Sequence, residues 1–509
     1  MHSIVYCNNF IRCLLLPSLS GLFLIMLILT FVPVEYYFVY ANIGPTINDS
    51  NLKTQVVFRG IKFPTSMAFL GPNDILVLEK NEGTVQRIVN GNVIQHPLLH
   101  VNVANDAERG MLGIAVSKHE IRTGNVTTSV FLYYTGALES TSTTTSTPDI
   151  ITTSTSRTST TPTNITAPTT TKTIQTTTTT TTTKTTTINT DTIRNLLYRY
   201  ELVNNQLVNP KLLLNLPGLP EPAHNGGKVL VGPDGNVYVV IGDVTGHRTQ
   251  AENVPNGGPP DGTGGIIRIT QDGKPVPNSI LGGNNPQNLY YAYGIRNSFG
   301  IDFDPVTGKL WDTENGPNYG DEINLVDPGF NSGWINVQGI QAPVNADPGR
   351  ITPDPHNLES FGGKGKYKPP EFIWNLTVTP FDHTVAPTAV KFLNSDKLGR
   401  QYQNDMFVGD FKNGNLYHFK LNQSRTGLIL NGTLANKIAD NQSELQRKGI
   451  LFGQGFGAIT DLQVGPDGYL YVLSPSAGGG DCHGTSTDQC VPYNSPVEGA
   501  IFRIVPANK

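Results

Sequence analysis

The chain has 509 residues and a formal net charge of −4, which excludes the basic excess expected of a nucleic-acid binder. Its 53 glycines and 36 prolines, with only 15% charged residues, describe a turn-dense β protein better than a helical one. That length allows two or three ordinary domains or one large closed β architecture.

The first element is an apolar run from about Leu14 to Val32, preceded by Arg12 and followed by the small-residue site Val39-Tyr40-Ala41. Residues 1–41 therefore read as a signal peptide or a membrane anchor. Both readings place residues 42–509 outside the cytoplasm, secreted or held on the outer face of the membrane by the N-terminal segment alone. Asn-x-Ser/Thr sequons at Asn48, Asn125, Asn164, Asn375, Asn422, Asn431 and Asn441 agree with export of a glycoprotein. Cys482 and Cys490 bracket one polar loop and are expected to form a disulfide in an oxidising compartment. Neighbouring His483 opens a metal reading, but two sulfurs and one imidazole do not complete a site.

Residues 140–192 are almost wholly Thr, Ser, Pro and Ile. Such a tract buries too little apolar surface to offset the entropy of ordering it. Ser129-Val-Phe-Leu-Tyr-Tyr134 before it and Arg194-Asn-Leu-Leu-Tyr-Arg-Tyr200 after it are strand-like. The tract is thus expected to be an insertion in the turn of one hairpin, which costs little because loop-closure entropy grows only logarithmically with length.

Outside the tract a motif recurs. Leu70-Gly-Pro-Asn-Asp74, Val231-Gly-Pro-Asp-Gly235, Asp304-Pro-Val-Thr-Gly308 and Val464-Gly-Pro-Asp-Gly468 each stand before a short apolar strand. Proline pre-sets the first φ of a turn, and Gly or Asp takes the position other residues avoid. Repeated hairpins of this kind predict an all-β fold, a six-bladed β-propeller carrying the Thr-rich insertion.

Three loops carry chemistry. Glu221-Pro-Ala-His224-Asn-Gly-Gly227 puts an imidazole on a short loop before a strand, where it can serve as a general base or simply cap the surface. Tyr293-Gly-Ile-Arg296-Asn297-Ser-Phe-Gly300 sets a guanidinium at the end of a rigid element, suited to an oxyanion or carboxylate or to bracing loop carbonyls. Thr313-Glu314-Asn-Gly-Pro-Asn-Tyr-Gly-Asp321-Glu322-Ile-Asn324 concentrates carboxylates, amides and carbonyls, an oxygen-rich set that suits Ca²⁺ better than Zn²⁺, or a solvated acidic turn.

Together these loops resemble the signature segments of the glucose/sorbosone dehydrogenases. The resemblance extends to Glu108-Arg-Gly-Met-Leu-Gly-Ile-Ala115, Asn331-Ser-Gly-Trp334, Thr384-Val-Ala-Pro-Thr388 and Met406-Phe-Val-Gly-Asp-Phe-Lys412, over roughly residues 55–506. It implies a six-bladed propeller that binds pyrroloquinoline quinone (PQQ) and Ca²⁺ and oxidises a sugar or alcohol hydroxyl, giving a lactone from an aldose and passing electrons to an external acceptor. In that reading His224 takes the hydroxyl proton, Asp321 assists it, and Arg296 steadies charge on the reduced quinone. Asn297, Thr384 and Lys412 match further cofactor contacts, Glu108 stands at a cofactor-contact position where the family's glucose enzymes place a glutamine, and the main-chain carbonyls of Gly316 and Pro317 match the Ca²⁺ ligands.

The pattern departs at Gly457-Ala458-Ile459-Thr460-Asp461. The family places arginines on both sides of the apolar residue to grip the cofactor's carboxylates; here Ala458 and Thr460 stand there. Each lost charge-assisted partner is worth about 1.5–3 kcal/mol, so PQQ binding is expected to weaken unless Lys412 or another cation compensates. A catalytically silent propeller that binds a glycan or protein partner at the cell surface therefore stands beside the dehydrogenase, with a metal-dependent lactonase as a minor third reading.

Overall fold

The computed structural model describes residues 44–120, 126–137, 193–340, 357–376, 383–476 and 498–508. The N-terminal apolar segment, the Thr-rich tract and the Cys482–Cys490 loop, with its expected disulfide, lie outside the described residues.

The described strands pair into six sheets. Their first strands are Pro64–Gly71, Met111–Glu120, Val229–Val231, Ser298–Phe303, Pro387–Phe392 and Asp461–Val464. Within each sheet the chain steps outward by antiparallel pairing. The exceptions are the third sheet, which ends in two parallel additions, Phe330–Asn331 and Lys366–Tyr367, and the fourth, where Ile438–Ala439 adds parallel to Phe372–Trp374. The sixth is closed by both ends of the chain, Leu52–Lys62 pairing antiparallel with Glu498–Pro506.

Hydrophobic burial holds the sheets in a ring. Val237 and Val239 pack toward the second sheet, with Phe131 and Leu197. Tyr238 and Val240, on the opposite face of the same strand, pack toward the fourth, with Ile301 and Leu310. The period-2 alternation of a strand thus feeds two neighbouring sheets at once. The same kind of cluster joins the first sheet to the second, the fourth to the fifth and the fifth to the sixth. Ile75 and Val77 then meet Leu473 and Ile501, which returns the packing from the sixth sheet to the first. The arrangement is all-β and propeller-like, as the sequence led one to expect.

The recurring turns are built alike. In both Gly-Pro-Asp-Gly copies the last glycine has a left-handed φ, +76° at Gly235 and +80° at Gly468. Its amide donates to the carbonyl of the first glycine, at 2.9 Å and 2.8 Å. The aspartate accepts a tyrosine hydroxyl four residues on, Tyr238 at Asp234 and Tyr471 at Asp467, each at 2.9 Å. All four motif copies join the first strand of a sheet to its second, at the end opposite the site described below.

The hairpin around the Thr-rich tract is also as expected. Val126–Ala137 and Ile193–Val203 pair antiparallel without a break from Ile193↔Ala137 to Glu201↔Ser129.

Candidate active site

A cavity of about 600 Å³ opens at the end of the ring where chains enter the first strands, and every sheet or its entering loop contributes to its wall. His224, Arg296, Asn297, Glu108, Gly316, Pro317, Asp321, Thr384 and Lys412 all line it. The structure therefore brings together the residues that the sequence singled out from segments more than 300 positions apart.

The histidine sits on a tightly bent loop. His224 itself has a left-handed φ of 61°, a cost that surrounding contacts must hold in place. Its amide donates to Glu108 Oε2 at 2.5 Å. At Gly227 (φ 128°) a Cβ would come within 2.6 Å of the Leu112 Cβ, so only glycine lets the loop lie against the second sheet.

The carboxylate partner of the imidazole is Asp243, not Asp321. Nδ1 of His224 lies 2.6 Å from Asp243 Oδ1, while Asp243 Oδ2 accepts the Trp334 indole N–H at 2.9 Å and Arg248 Nη1 at 3.1 Å. Burial pushes the Asp243 carboxyl up, but the His224 contact and the donors from Trp334 and Thr245 outweigh it and hold it below the ordinary range. A carboxylate at Nδ1 fixes the proton there and leaves Nε2 as the basic nitrogen. Asp243 lies two residues past the strand Val237–Ile241, and nothing in its spacing from His224 marks it in the sequence.

Asp321 does different work. Its two oxygens accept the amides of Gly316 at 2.8 Å, Val385 at 2.6 Å and Ala386 at 2.7 Å. It stitches the Glu314–Glu322 loop of the fourth sheet to the segment entering the fifth. Burial pushes it up to about 6 despite those amides and the nearby Lys412. The expected assistance to His224 is therefore corrected: both carboxylate oxygens of Asp321 are engaged by main chain.

Arg296 is braced on three sides. Its amide donates to Glu314 Oε1 at 2.7 Å, and its Nη1 donates to the carbonyls of Asn315 at 2.9 Å and Gly316 at 3.1 Å. The guanidinium lies 5.4 Å from the Trp334 ring centroid, a cation–π contact. Asn297 Nδ2 stands 3.4 Å from each oxygen of Glu108, at the weak end of hydrogen bonding. Lys412 donates to the Thr384 hydroxyl, so these two expected cofactor contacts meet directly.

Two cavity lysines were not singled out by the sequence. Lys80 is only 2% exposed, and burial pushes it down to about 8 against the opposing charges of Glu108 and Asp106. Lys228 forms a buried ion pair with Asp461, whose other oxygen accepts the Ser66 hydroxyl at 3.0 Å and the Met67 amide at 2.9 Å. Both lysines lie at strand ends, where a solvated surface cation is the ordinary expectation.

The departure at residues 458–460 is filled by apolar packing and main-chain bonding. Ala458 is fully buried against Phe63 and Phe411, and the Thr460 hydroxyl donates to the Pro64 carbonyl at 3.0 Å.

The acidic loop does not gather into a carboxylate cage. Glu314 accepts from Ser332 at 2.6 Å, and Glu322 accepts from Gln338 at 2.9 Å and from the Gly339 amide at 2.6 Å. Burial raises both carboxyls above the ordinary range. Among the described residues no group of three or more His, Cys, Asp and Glu side chains is arranged to hold a metal ion. Oxygen donors are nevertheless present at the cavity: Asn297 Oδ1 and Asn315 Oδ1 are buried without a hydrogen-bond partner beside Gly316 and Pro317. That hard, neutral oxygen set fits Ca²⁺. The cationic lining of Lys80, Arg296 and Lys412 fits a polycarboxylate such as PQQ.

A ring of sheets with a cationic cavity at one mouth and a carboxylate-held histidine in its wall is a propeller-like scaffold suited to chemistry on a bound ligand. The family model for glucose/sorbosone dehydrogenases matches residues 61–480, and the chain belongs to that family. It is 27% identical over 271 residues to the aldose sugar dehydrogenase YliI of Escherichia coli, a match covering 52% of this chain and 60% of that protein. The crystal structure of the soluble aldose sugar dehydrogenase from Escherichia coli in its apo form superposes with a TM-score of 0.58 at 18% identity, covering 89% of this chain and 99% of that one. The PQQ-bound aldose sugar dehydrogenase from Streptomyces coelicolor superposes with a TM-score of 0.53 at 19% identity, covering 89% of this chain and 98% of that one. At these identities the two structures share the fold.

Proposed function

We propose that the chain is an extracytoplasmic, PQQ-dependent sugar dehydrogenase that oxidises an aldose hydroxyl to a lactone and delivers electrons to an external acceptor. In this reading each of the six sheets is one blade. The observation that carries the proposal is the His224–Asp243 pair in the wall of a cationic cavity. Family membership and the PQQ-bound relative support it.

His224 Nε2 accepts the proton of the hydroxyl being oxidised, and Asp243 stabilises the imidazolium that forms. Arg296, fixed by Trp334 and two loop carbonyls, places permanent positive charge where negative charge develops. Lys412, Thr384 and Asn297 orient the cofactor, with Ca²⁺ at the carbonyls of Gly316 and Pro317. Bound there, PQQ supplies the hydride acceptor and Ca²⁺ the Lewis acid that polarises it.

The test is reconstitution with PQQ and Ca²⁺ followed by dye-linked oxidation of an aldose panel. Wild type is expected to turn over at least one aldose and His224→Ala to be nearly inactive; equal rates sink the assignment. The second reading, a silent propeller that binds a glycan or protein partner, draws on the uncharged Ala458 and Thr460. A folded protein that takes up no PQQ at high micromolar concentration would decide for it.

A further inference from the structure

The cavity wall around Ala458 has its own recognition chemistry. Ala458 is sealed beneath Phe63 and Phe411, and both rings line the cavity. Each ring has a lysine beside it. The Lys80 ammonium stands 5.5 Å from the Phe63 ring centroid, and Lys412 follows Phe411 in the chain and bonds Thr384 across the cavity wall.

Lys80 is held in place. Its ammonium donates to Asn81 Oδ1 at 2.9 Å and to the Asn105 carbonyl at 3.2 Å, and the Glu108 and Asp106 carboxylates attract it through space. An ammonium so enclosed has lost most of its hydration, and burial pushes Lys80 down to about 8. An anionic ligand in the cavity would add to the attraction of those two carboxylates and offset more of the hydration lost on burial. The aromatic faces beside it select for a flat ligand, because planar rings stack well on phenyl faces.

We infer that Lys80 is a carboxylate-recognition residue of this cavity, where a flat aromatic polycarboxylate lies against Phe63 and Phe411 with one carboxylate on Lys80 and another on Lys412. The inference rests on the dehydrogenase reading for the identity of that ligand as PQQ, but the wall can be tested without it. The probes are PQQ and benzene-1,3,5-tricarboxylate, a flat tricarboxylate with no redox chemistry, each titrated calorimetrically into the full-length protein. Lys80→Met is expected to weaken both by about 10- to 100-fold, and Lys80→Arg to restore most of the loss. Thermal melting confirms that each variant is folded; if Lys80→Met is not, Lys80→Gln, which keeps donors for Asn81 and Asn105 without the charge, takes its place.

Affinities for both probes unchanged by loss of the Lys80 charge overturn the inference and leave the dehydrogenase reading standing. Lys80-dependent binding of the tricarboxylate without PQQ uptake upholds the wall and overturns PQQ as the cofactor. Failure of the wild type to bind either probe overturns both.

Discussion

Nδ1 of His224 and Oδ1 of Asp243 are 2.6 Å apart, in a contact that closes over nineteen residues of sequence and joins two loops of one sheet. Trp334 ties the same carboxylate from below with its indole N–H at 2.9 Å, while its ring carries the Arg296 guanidinium. The base and the cation of the site are therefore set by one aromatic residue. Asp243→Asn is expected to lower kcat of the reconstituted enzyme by about 10²- to 10⁴-fold, because an amide no longer holds the Nδ1 proton or stabilises the imidazolium. Trp334→Phe, which keeps a ring and loses one donor, is expected to cost far less. Steady-state kinetics decide it, and an Asp243→Asn variant within threefold of wild type excludes the dyad.

Glu108 acts on the same histidine through the backbone. It holds the His224 amide at 2.5 Å while that residue sits at a φ of 61°. Glu108→Ala is expected to destabilise the fold by about 1–3 kcal/mol and to reduce activity through a displaced imidazole. Glu108→Gln keeps an acceptor and should retain most of both. Chemical denaturation and kcat on the three proteins test this, and equal losses in Ala and Gln would count against it.

Stability should fall with rising pH in the mildly acid range. Burial raises Asp321 and Asp410 to about 6 from 3.8, and it raises Glu314 as well. A carboxyl raised in the folded state binds its proton more tightly there than in the unfolded chain, so stability is lost as pH climbs from about 4 to about 6. His247 is raised above its ordinary value by the Asp261 hydrogen bond, and its contribution is lost above 6.5 in the same direction. Asp243, lowered in the fold, acts only below the ordinary carboxylate range, where its contribution fades with acid. Melting in the presence of a chelator should show a Tm roughly 5 °C higher at pH 5 than at pH 8. A flat or rising profile refutes it.

The ion pair of Lys228 and Asp461 spans the ring. Their strands, Val229–Val231 and Asp461–Val464, belong to sheets three steps apart around a closed circle of six, and both side chains are buried. Lys228→Met strands a buried carboxylate and is expected to cost about 3–5 kcal/mol, whereas Lys228→Met with Asp461→Asn should recover a good part of that. Urea unfolding of the two variants is the measurement. A single variant within about 1 kcal/mol of wild type would show that Ser66 and the Met67 amide satisfy Asp461 unaided.

Much of this was legible in the chain because it is local. The Gly-Pro-Asp-Gly turns declare themselves in four residues, and the strands flanking the Thr-rich tract declare themselves by composition. His224 and Arg296 stand out because glycines beside them announce unusual backbone. What escaped was pairing. Asp243 is one more aspartate after a strand until the fold carries it to His224, whereas Asp321, to which the family resemblance points for that role, serves three amides. Lys80 and Lys228 escaped for a related reason: a lysine at a strand end is ordinarily solvated, and only closure of the ring buries these two.

The uninterrupted register from Glu201↔Ser129 to Ile193↔Ala137 has one further consequence. Ala137 and Ile193 lie at the same end of their sheet as Met111, whose neighbour Leu112 is in the cavity wall. The described chain therefore breaks off at Ala137 and resumes at Ile193 on the side of the sheet that faces the cavity, with the strand pairing intact up to both residues. Changes of length between those two residues leave the ladder that carries Met111 and Leu112 to the cavity wall unaltered.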